Sequence, residues 1–381
     1  MPYQLCSDAL KATGRAKGMS KMYDCSKLIS DFHSTHVRLT RDQQKEMRER
    51  RDTNVKRVRA GLAEKGKPEI ADVISQGGYA MKTMTQPPEG SDSRYDIDLG
   101  LVFESEDAAG PRTTRCWVRD ALAAKATNVK GDPEDKGKCV RIEYAAGYQC
   151  DFPVFRRWAS GDSFVHQVAL HDEWVTSSPQ QMNTWFERQV VEKSPEAAPS
   201  YQLRRIVRLM KFLAKTWQHA SSLKYPTGLL LTALTVECFE GSLGRDDKAF
   251  YRTLCRIGDR SHLLPVYADG ILISREKDTI RLQRLQEKAV ALADTIKDLV
   301  DRETDHDDES ARKVWKKVFR HSFFDPVEVK GSTGTRKLVG AAAPTGAAAF
   351  LIGLAAEEAQ ARAEAAVRET QAPTKPWSPQ G

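Results

Sequence analysis

The order of its patterns constrains this chain more than any other feature: short β-rich runs come first and helical period comes afterwards. IADVISQG (70–77), YDIDLGLVF (95–103), CVRIEYAAG (139–147) and YQCDFPVF (148–155) are rich in β-branched and aromatic residues and are bounded by turn residues, which marks them as strands. A helix is expected between them, near Cys116 to Ala126. From about Pro195 the period becomes helical. YQLRRIVRLMKFLAKTWQ places Leu203, Ile206, Val207, Met210, Leu213, Ala214 and Trp217 on one face, GLLLTALTVECF follows Pro226, and a third helix runs from about Ser274 through RLQRLQEKAVALADTIKDLV. Strands followed by helices predict an α+β fold with a mixed sheet and a mainly helical second half.

A long helix precedes the strands. Thr40 and Gln43 form a capping-box pattern, the sparse apolar positions Met47, Val55, Val58 and Leu62 make one narrow core-facing stripe, and Gly66 and Pro68 stop the helix. Residues 1–39 carry little periodicity. The predicted organisation is therefore an N-terminal segment (1–39), a core that includes the long helix (40–195), a helical domain (196–330) and an appendage (331–381). This last stretch is rich in Ala, Gly and Pro, holds one Ala/Glu helical candidate and ends in a flexible tip, TKPWSPQG.

The 381 residues suffice for one large or two moderate domains. No apolar stretch approaches the roughly 18 residues that span a bilayer, and the N-terminus lacks the apolar segment of a secretory signal, so the cytoplasm is expected and no membrane partner. Seven cysteines without a CxxC pair suggest reduced thiols rather than a disulfide frame or zinc ribbon. The net charge of +7 comes from 59 basic residues interspersed with 52 acidic ones, a balance that suits polyanions, nucleoside triphosphates among them.

The chemistry concentrates in three short motifs. Strand alternation sends Asp96 and Asp98 to one side of YDIDLGLVF and Ile97 and Leu99 to the other. Two adjacent carboxylates are costly unless a cation neutralises them, and paired oxygen ligands suit Mg²⁺. About twenty residues upstream, QGGYAMKT sets Gly77 and Gly78 between a strand end and a helix start, where backbone N–H groups meet phosphate oxygens and Lys82 adds a point charge. Asp151 lies on the apolar strand YQCDFPVF. It needs a partner there, either a metal shared with Asp96 and Asp98 or an arginine such as Arg156 or Arg157.

QGGYAMKT, DID and YQCDFPVF, in this order, resemble the nucleotidyltransferase core of the cGAS/DncV-like nucleotidyltransferases (CD-NTases), and RRIVRLMKFLAKTWQ with YPTGLLLTALTVECF resembles that family's helical segments. The likeness covers roughly residues 40 to 300. It implies a polymerase-β-like nucleotidyltransferase core with a C-terminal helical domain, in a bilobal arrangement like that of cGAS and OAS. Carried over, Asp96, Asp98 and Asp151 become the catalytic and metal-binding triad for two Mg²⁺ ions, with Mn²⁺ as an alternative. Gly77 and Gly78 become the phosphate turn, and Lys211 and Thr227 further triphosphate contacts. Lys211 also has a plainer reading, as a solvated residue on a polar face with Arg204, Arg208 and Lys215. The family's turn is usually Gly-Ser, so Gly78 removes a hydroxyl.

The resemblance implies synthesis of a cyclic di- or trinucleotide second messenger from nucleoside triphosphates such as ATP or GTP. It further implies a role in bacterial anti-phage defence (CBASS), a separate nucleotide-activated effector, and C-terminal conjugation machinery as a candidate partner. Two alternatives stand: a template-independent RNA or tRNA nucleotidyltransferase, and a catalytically silent nucleic-acid binder. The zinc module of animal DNA sensors needs clustered His and Cys, which this sequence lacks. His33, His36 and the acidic run TDHDDES receive no role; the run is expected to be a solvated loop. TQPPEGSDSRY, between turn and DxD, is expected to be a mobile flap at the rim of the site.

Overall fold

A computed structural model describes residues 23–91, 95–196, 201–300 and 306–326. The C-terminal appendage and the first 22 residues lie outside them. No helix among the described residues is long and apolar enough to cross a membrane.

The capping box forms as the sequence requires. Thr40 accepts from the Gln43 amide at 3.2 Å while the Gln43 side chain accepts from the Thr40 amide at 2.9 Å, opening helix α2, Arg41–Glu64. Its stripe of Met47, Val58 and Leu62 is buried, with Val55 packed at the edge. Asn54 is also fully buried, which the apolar pattern does not disclose; it donates to the Arg50 carbonyl and accepts from the Tyr144 hydroxyl. Helix α2 crosses the expected helix, α4, which spans Pro111–Lys125. Gly61 permits the approach, because a Cβ there would lie 2.4 Å from the Ala121 carbonyl oxygen.

The strands assemble around β2, Asp96–Glu104. Strand β1, Asp72–Gln76, pairs with it antiparallel on one side. On the other side β5, Gln149–Phe152, and β6, Val154–Ser160, run parallel to it in succession. Pro153 separates β5 from β6, and its carbonyl accepts from Leu101 N at 2.9 Å. Strands β3 (Glu134–Asp135) and β4 (Val140–Glu143) extend the β5 edge, and β7 (Ser163–Leu170) and β8 (Glu173–Thr176) extend the β6 edge. The sheet is thus mixed, as expected. Ile97, Leu99, Leu101 and Phe103 point into a core shared with α2 and α4, so the alternate residues Asp96 and Asp98 face away from it.

A second core is helical. It joins α5 (Gln181–Lys193), α6 (Gln202–Ser221), α7 (Gly228–Cys238), α8 (Asp246–Gly258), α9 (Thr279–Val300) and α10 (Asp308–Phe319). The N-terminal helix α1 (Ser26–Phe32) and the π turn His33–Val37 that continues it also belong here, with Ile29, Phe32 and Val37 inaccessible. The described part of the acidic run, from His306, is no open loop: Asp307 caps α10 by accepting from Ser310 N at 2.8 Å, and Asp308 and Glu309 occupy the first turn, where the helix dipole favours them.

Helix α6 departs most from its sequence pattern. Its predicted apolar face is buried apart from the half-buried Trp217, but so are Leu209 and Phe212, because helices pack on more than one side of it. A residue assigned to its polar stripe can therefore lie inside the protein, and Lys211 does.

Candidate active site

The register of β2 assembles the site. Asp98 pairs with Gln76 of β1 on one side and with Asp151 of β5 on the other, and Asp96 pairs with Gln149. Asp98 is therefore the immediate neighbour of Asp151 across a parallel ladder and of the residue that precedes Gly77. Gly77 opens a four-residue helix, α3, Gly77–Ala80, at a φ of +64°. A Cβ on Gly77 would stand 2.3 Å from the Asp98 carboxylate oxygen. Both its backbone conformation and its position demand glycine. At Gly78 a Cβ would meet Met84 at its Cγ, 3.2 Å away, and at its backbone nitrogen, 3.8 Å away, with the Lys211 ammonium at 3.9 Å.

Lys211 reaches this turn from α6. Its ammonium donates to the Thr83 hydroxyl at 2.7 Å, and only 9% of the residue is exposed, so the solvated reading is wrong. Arg208, one turn earlier, donates to the Lys82 carbonyl at 2.9 Å. Helix α6 thereby holds the segment that follows the glycine turn. Burial lowers the Lys211 pKa to about 7, with Lys215 and Arg208 adding to the effect and Asp98 opposing it.

The carboxylates carry the complementary signature. Asp98 is pushed up to about 6, first by burial and then by Asp151 and Asp96. Asp96, whose side chain reaches solvent, is raised too, chiefly by desolvation, against Lys215. Asp96 opens onto a cleft of about 500 Å³ that Pro87, Pro88, Lys215, Gln218 and Lys224 also line.

Asp151 has a partner that the sequence reading did not name. Arg141, opposite it across the antiparallel β4–β5 ladder, forks onto both carboxylate oxygens, Nε to Oδ1 and Nη2 to Oδ2, each at 2.7 Å. Arg156 and Arg157 are engaged elsewhere, with Gln167 and with Glu104 and Asp72 respectively. As they stand, no three His, Cys, Asp or Glu side chains among the described residues form a group able to hold a metal ion. The donor chemistry fits Mg²⁺, since hard carboxylate oxygens converge from neighbouring strands, but one of the three carboxylates is occupied by a guanidinium.

The remaining candidates lie further out. Lys82 is exposed at a φ of +55° and lines a different cavity of about 330 Å³ with Arg38, Arg48, Tyr79 and Arg208. Thr227 is the exposed residue before α7, a helix that packs against α3, and its side chain makes no cap hydrogen bond. The described part of the expected flap is anchored. Gln86 bonds to the carbonyls of Thr35 and Arg38, and the Glu89 carboxylate accepts from Ser322 N at 2.8 Å.

With this geometry in view, residues 71–155 match the family described as cyclic GMP-AMP synthase DncV-like, nucleotidyltransferase domain. The chain carries a DncV-like nucleotidyltransferase domain. The matched span runs from the start of β1 through the glycine turn to Asp151 and the head of β6. Among solved structures, Vibrio cholerae DncV cyclic AMP-GMP synthase, a prokaryotic cGAS homolog, has a TM-score of 0.59 at 14% identity over 78% of this chain and 96% of that one. Its 3′-deoxy GTP bound form gives 0.61 at 15% over 78% and 95%. A mutant in complex with ATP, GTP and 5MTHFGLU2 gives 0.59 at 13% over 78% and 96%. At these identities the likeness establishes the fold: α+β, with a mixed sheet and helices in the DncV arrangement.

The sequence assigns no role to Arg141 or Thr83 and places Lys215 only on the polar face of its helix. A signal for Arg141 existed: CVRIEYAAG and YQCDFPVF are adjacent strands joined by a short turn, and hairpin register sets Arg141 opposite Asp151. Nothing local marks Thr83, whose role as acceptor for Lys211 depends on a contact 128 residues away in the chain.

Proposed function

We propose that this nucleotidyltransferase is magnesium-dependent and joins nucleoside triphosphates into a cyclic di- or trinucleotide. The observation that carries the proposal is the juxtaposition of Asp98 with Asp151 on one side and Gly77 on the other, with the Lys211 ammonium behind the turn. Asp96, Asp98 and Asp151 would hold the divalent ions, which when bound supply charge neutralisation at the phosphates and a more acidic attacking hydroxyl. The protein's own part is positioning. Gly77 lets the backbone pass beside the carboxylates, and the first N–H groups of a helical turn lack intrahelical acceptors and suit phosphate oxygens. Lys211, held by Thr83 behind that turn, adds positive charge where a triphosphate would lie. The cleft bordered by Asp96, Lys215 and the Pro87–Pro88 loop has the size to seat a nucleotide.

On the same reading the product is a second messenger of anti-phage defence, sensed by a separate effector, and the protein works in the cytoplasm. Conjugation through the C-terminus belongs to this reading as well; that tail lies outside the described residues. The test is incubation of purified protein with labelled ATP, GTP, CTP and UTP and Mg²⁺, followed by phosphatase. Small phosphatase-resistant products support the proposal. Lengthening of added RNA favours the polynucleotide-extending alternative, and no product favours the silent binder.

A further inference from the structure

Among the described residues, Arg141 grips one of the three proposed metal ligands directly. Its guanidinium covers both oxygens of Asp151, in the planar fork that makes arginine–carboxylate pairs strong. The pair is shielded, with the two side chains 30% and 16% exposed, so it is worth more than a surface ion pair. Its geometry is set by backbone pairing, since Arg141 and Asp151 are direct partners in the β4–β5 ladder. On its other flank Asp151 has Asp98 as its parallel partner. One carboxylate therefore lies between a fixed guanidinium and the acidic pair.

We propose that Arg141 is a placeholder cation: it neutralises Asp151 while the site is free of metal and yields carboxylate oxygen when a divalent ion binds, so that it sets the metal affinity of the site. The inference rests on the metal-dependent reading above and extends it to a residue outside the DxD and glycine motifs. Its physical basis is competition for lone pairs. A carboxylate offers about four acceptor positions on two oxygens, and a bidentate guanidinium directs one donor at each. A hard cation that uses either oxygen must weaken at least one of those bonds. Without Arg141 the metal-free site would hold Asp98 and Asp151 side by side with less compensation, which costs stability in the free protein and strengthens its attraction for a cation. Arg141 is thus a positioning residue that acts through Asp151.

The test uses the full chain freed of divalent ions and follows binding of Mn²⁺ alone through the electron paramagnetic resonance signal of the free aquo ion, with thermal unfolding in parallel. Arg141→Gln is expected to bind Mn²⁺ about tenfold more tightly than wild type, the lower end of what a hydrogen bond to a charged group contributes. It should unfold at lower temperature without metal and recover that loss when Mn²⁺ is added. Arg141→Lys, which keeps a charge but cannot span both oxygens, should fall between the two. If Arg141 merely props Asp151 in place, Arg141→Gln will bind Mn²⁺ no more tightly than wild type and added metal will not restore its stability; that result overturns the proposal. Should Arg141→Gln fail to fold, Arg141→Lys decides: tighter binding upholds the placeholder, and equal or weaker binding refutes it. Asp96→Asn separates this from the reading beneath it. Mn²⁺ affinity unchanged by that variant would mean that the carboxylates are not the metal site, and both would fall.

Discussion

Replacing Asp98 with asparagine should make the metal-free protein more stable at neutral pH. Asp98 is part-buried beside two other carboxylates, and its pKa is pushed up to about 6 by burial, Asp151 and Asp96. An unfolded-state aspartate titrates near 3.9, so the folded protein holds this proton about two units more tightly. The sign follows from linkage: the stabilisation is fully present below the unfolded-state pKa and is lost as pH rises through the folded-state pKa. Two units correspond to about 3 kcal/mol at most. Asp98 is partly accessible to water, so about 1–2 kcal/mol is the expected effect. Asparagine keeps the shape of the side chain and carries no charge, and therefore avoids this penalty. The assay is thermal unfolding in EDTA across pH 4 to 8. The melting temperature of the Asp98→Asn variant should rise relative to wild type between pH 4 and 6 and reach a plateau about 1–3 °C above it at pH 8. Added Mg²⁺ should stabilise wild type and leave the variant nearly unchanged. A variant no more stable than wild type at pH 8, or a difference independent of pH, would refute the account of Asp98 as a carboxylate penalised by burial and by its acidic neighbours.

Two further predictions come from the glycine turn and from Lys211. Gly77→Ala should abolish product formation, because its Cβ would strike the Asp98 carboxylate and the residue sits at positive φ. Gly78→Ser should retain activity, since its backbone is not left-handed and its Cβ needs only a shift of a few tenths of an ångström by the Met84 side chain at Cγ; initial rates of pyrophosphate release compare the two, and equal rates would contradict this placement. Lys211, lowered to about 7 by burial, should take up a proton when a triphosphate binds at pH 8, so the binding enthalpy should vary with the ionisation enthalpy of the buffer. Lys211→Met should bind more weakly and lose that dependence. A wild-type enthalpy independent of buffer would remove Lys211 from the phosphate site.

The sequence disclosed what is local. Thr40 and Gln43 announce a helix start because both capping partners lie within one turn, and alternation in YDIDLGLVF separates carboxylates from core because a strand has period two. Other features depend on which elements meet. The polar stripe of α6 looks solvated from its own 3.6 period, yet Lys211 is buried because the segment after the glycine turn packs over it. Likewise, the sequence shows that Asp151 needs a cation and leaves the choice among arginines open. The β4–β5 register makes that choice, in favour of Arg141 over Arg156 and Arg157. Strands β7 and β8 and helices α5 and α8 were not read at all. Helix α8 does carry a helical period, in Ala249, Phe250, Leu254 and Ile257, whereas the short strand β8 offers too few residues for alternation to declare itself.

Counting pyrophosphate against nucleotide tests the central claim most directly. A linear product of n nucleotides keeps one 5′-triphosphate and releases n − 1 pyrophosphates, whereas closing a ring releases one pyrophosphate for every nucleotide incorporated. Purified protein incubated with the four triphosphates and Mg²⁺ should therefore yield a small product whose mass lacks any terminal phosphate, with pyrophosphate equal to the nucleotide it contains. The Asp96→Asn, Asp98→Asn double variant should yield neither. A product that retains a triphosphate, a pyrophosphate ratio below one, or turnover by the double variant would contradict a carboxylate-dependent cyclic oligonucleotide synthase.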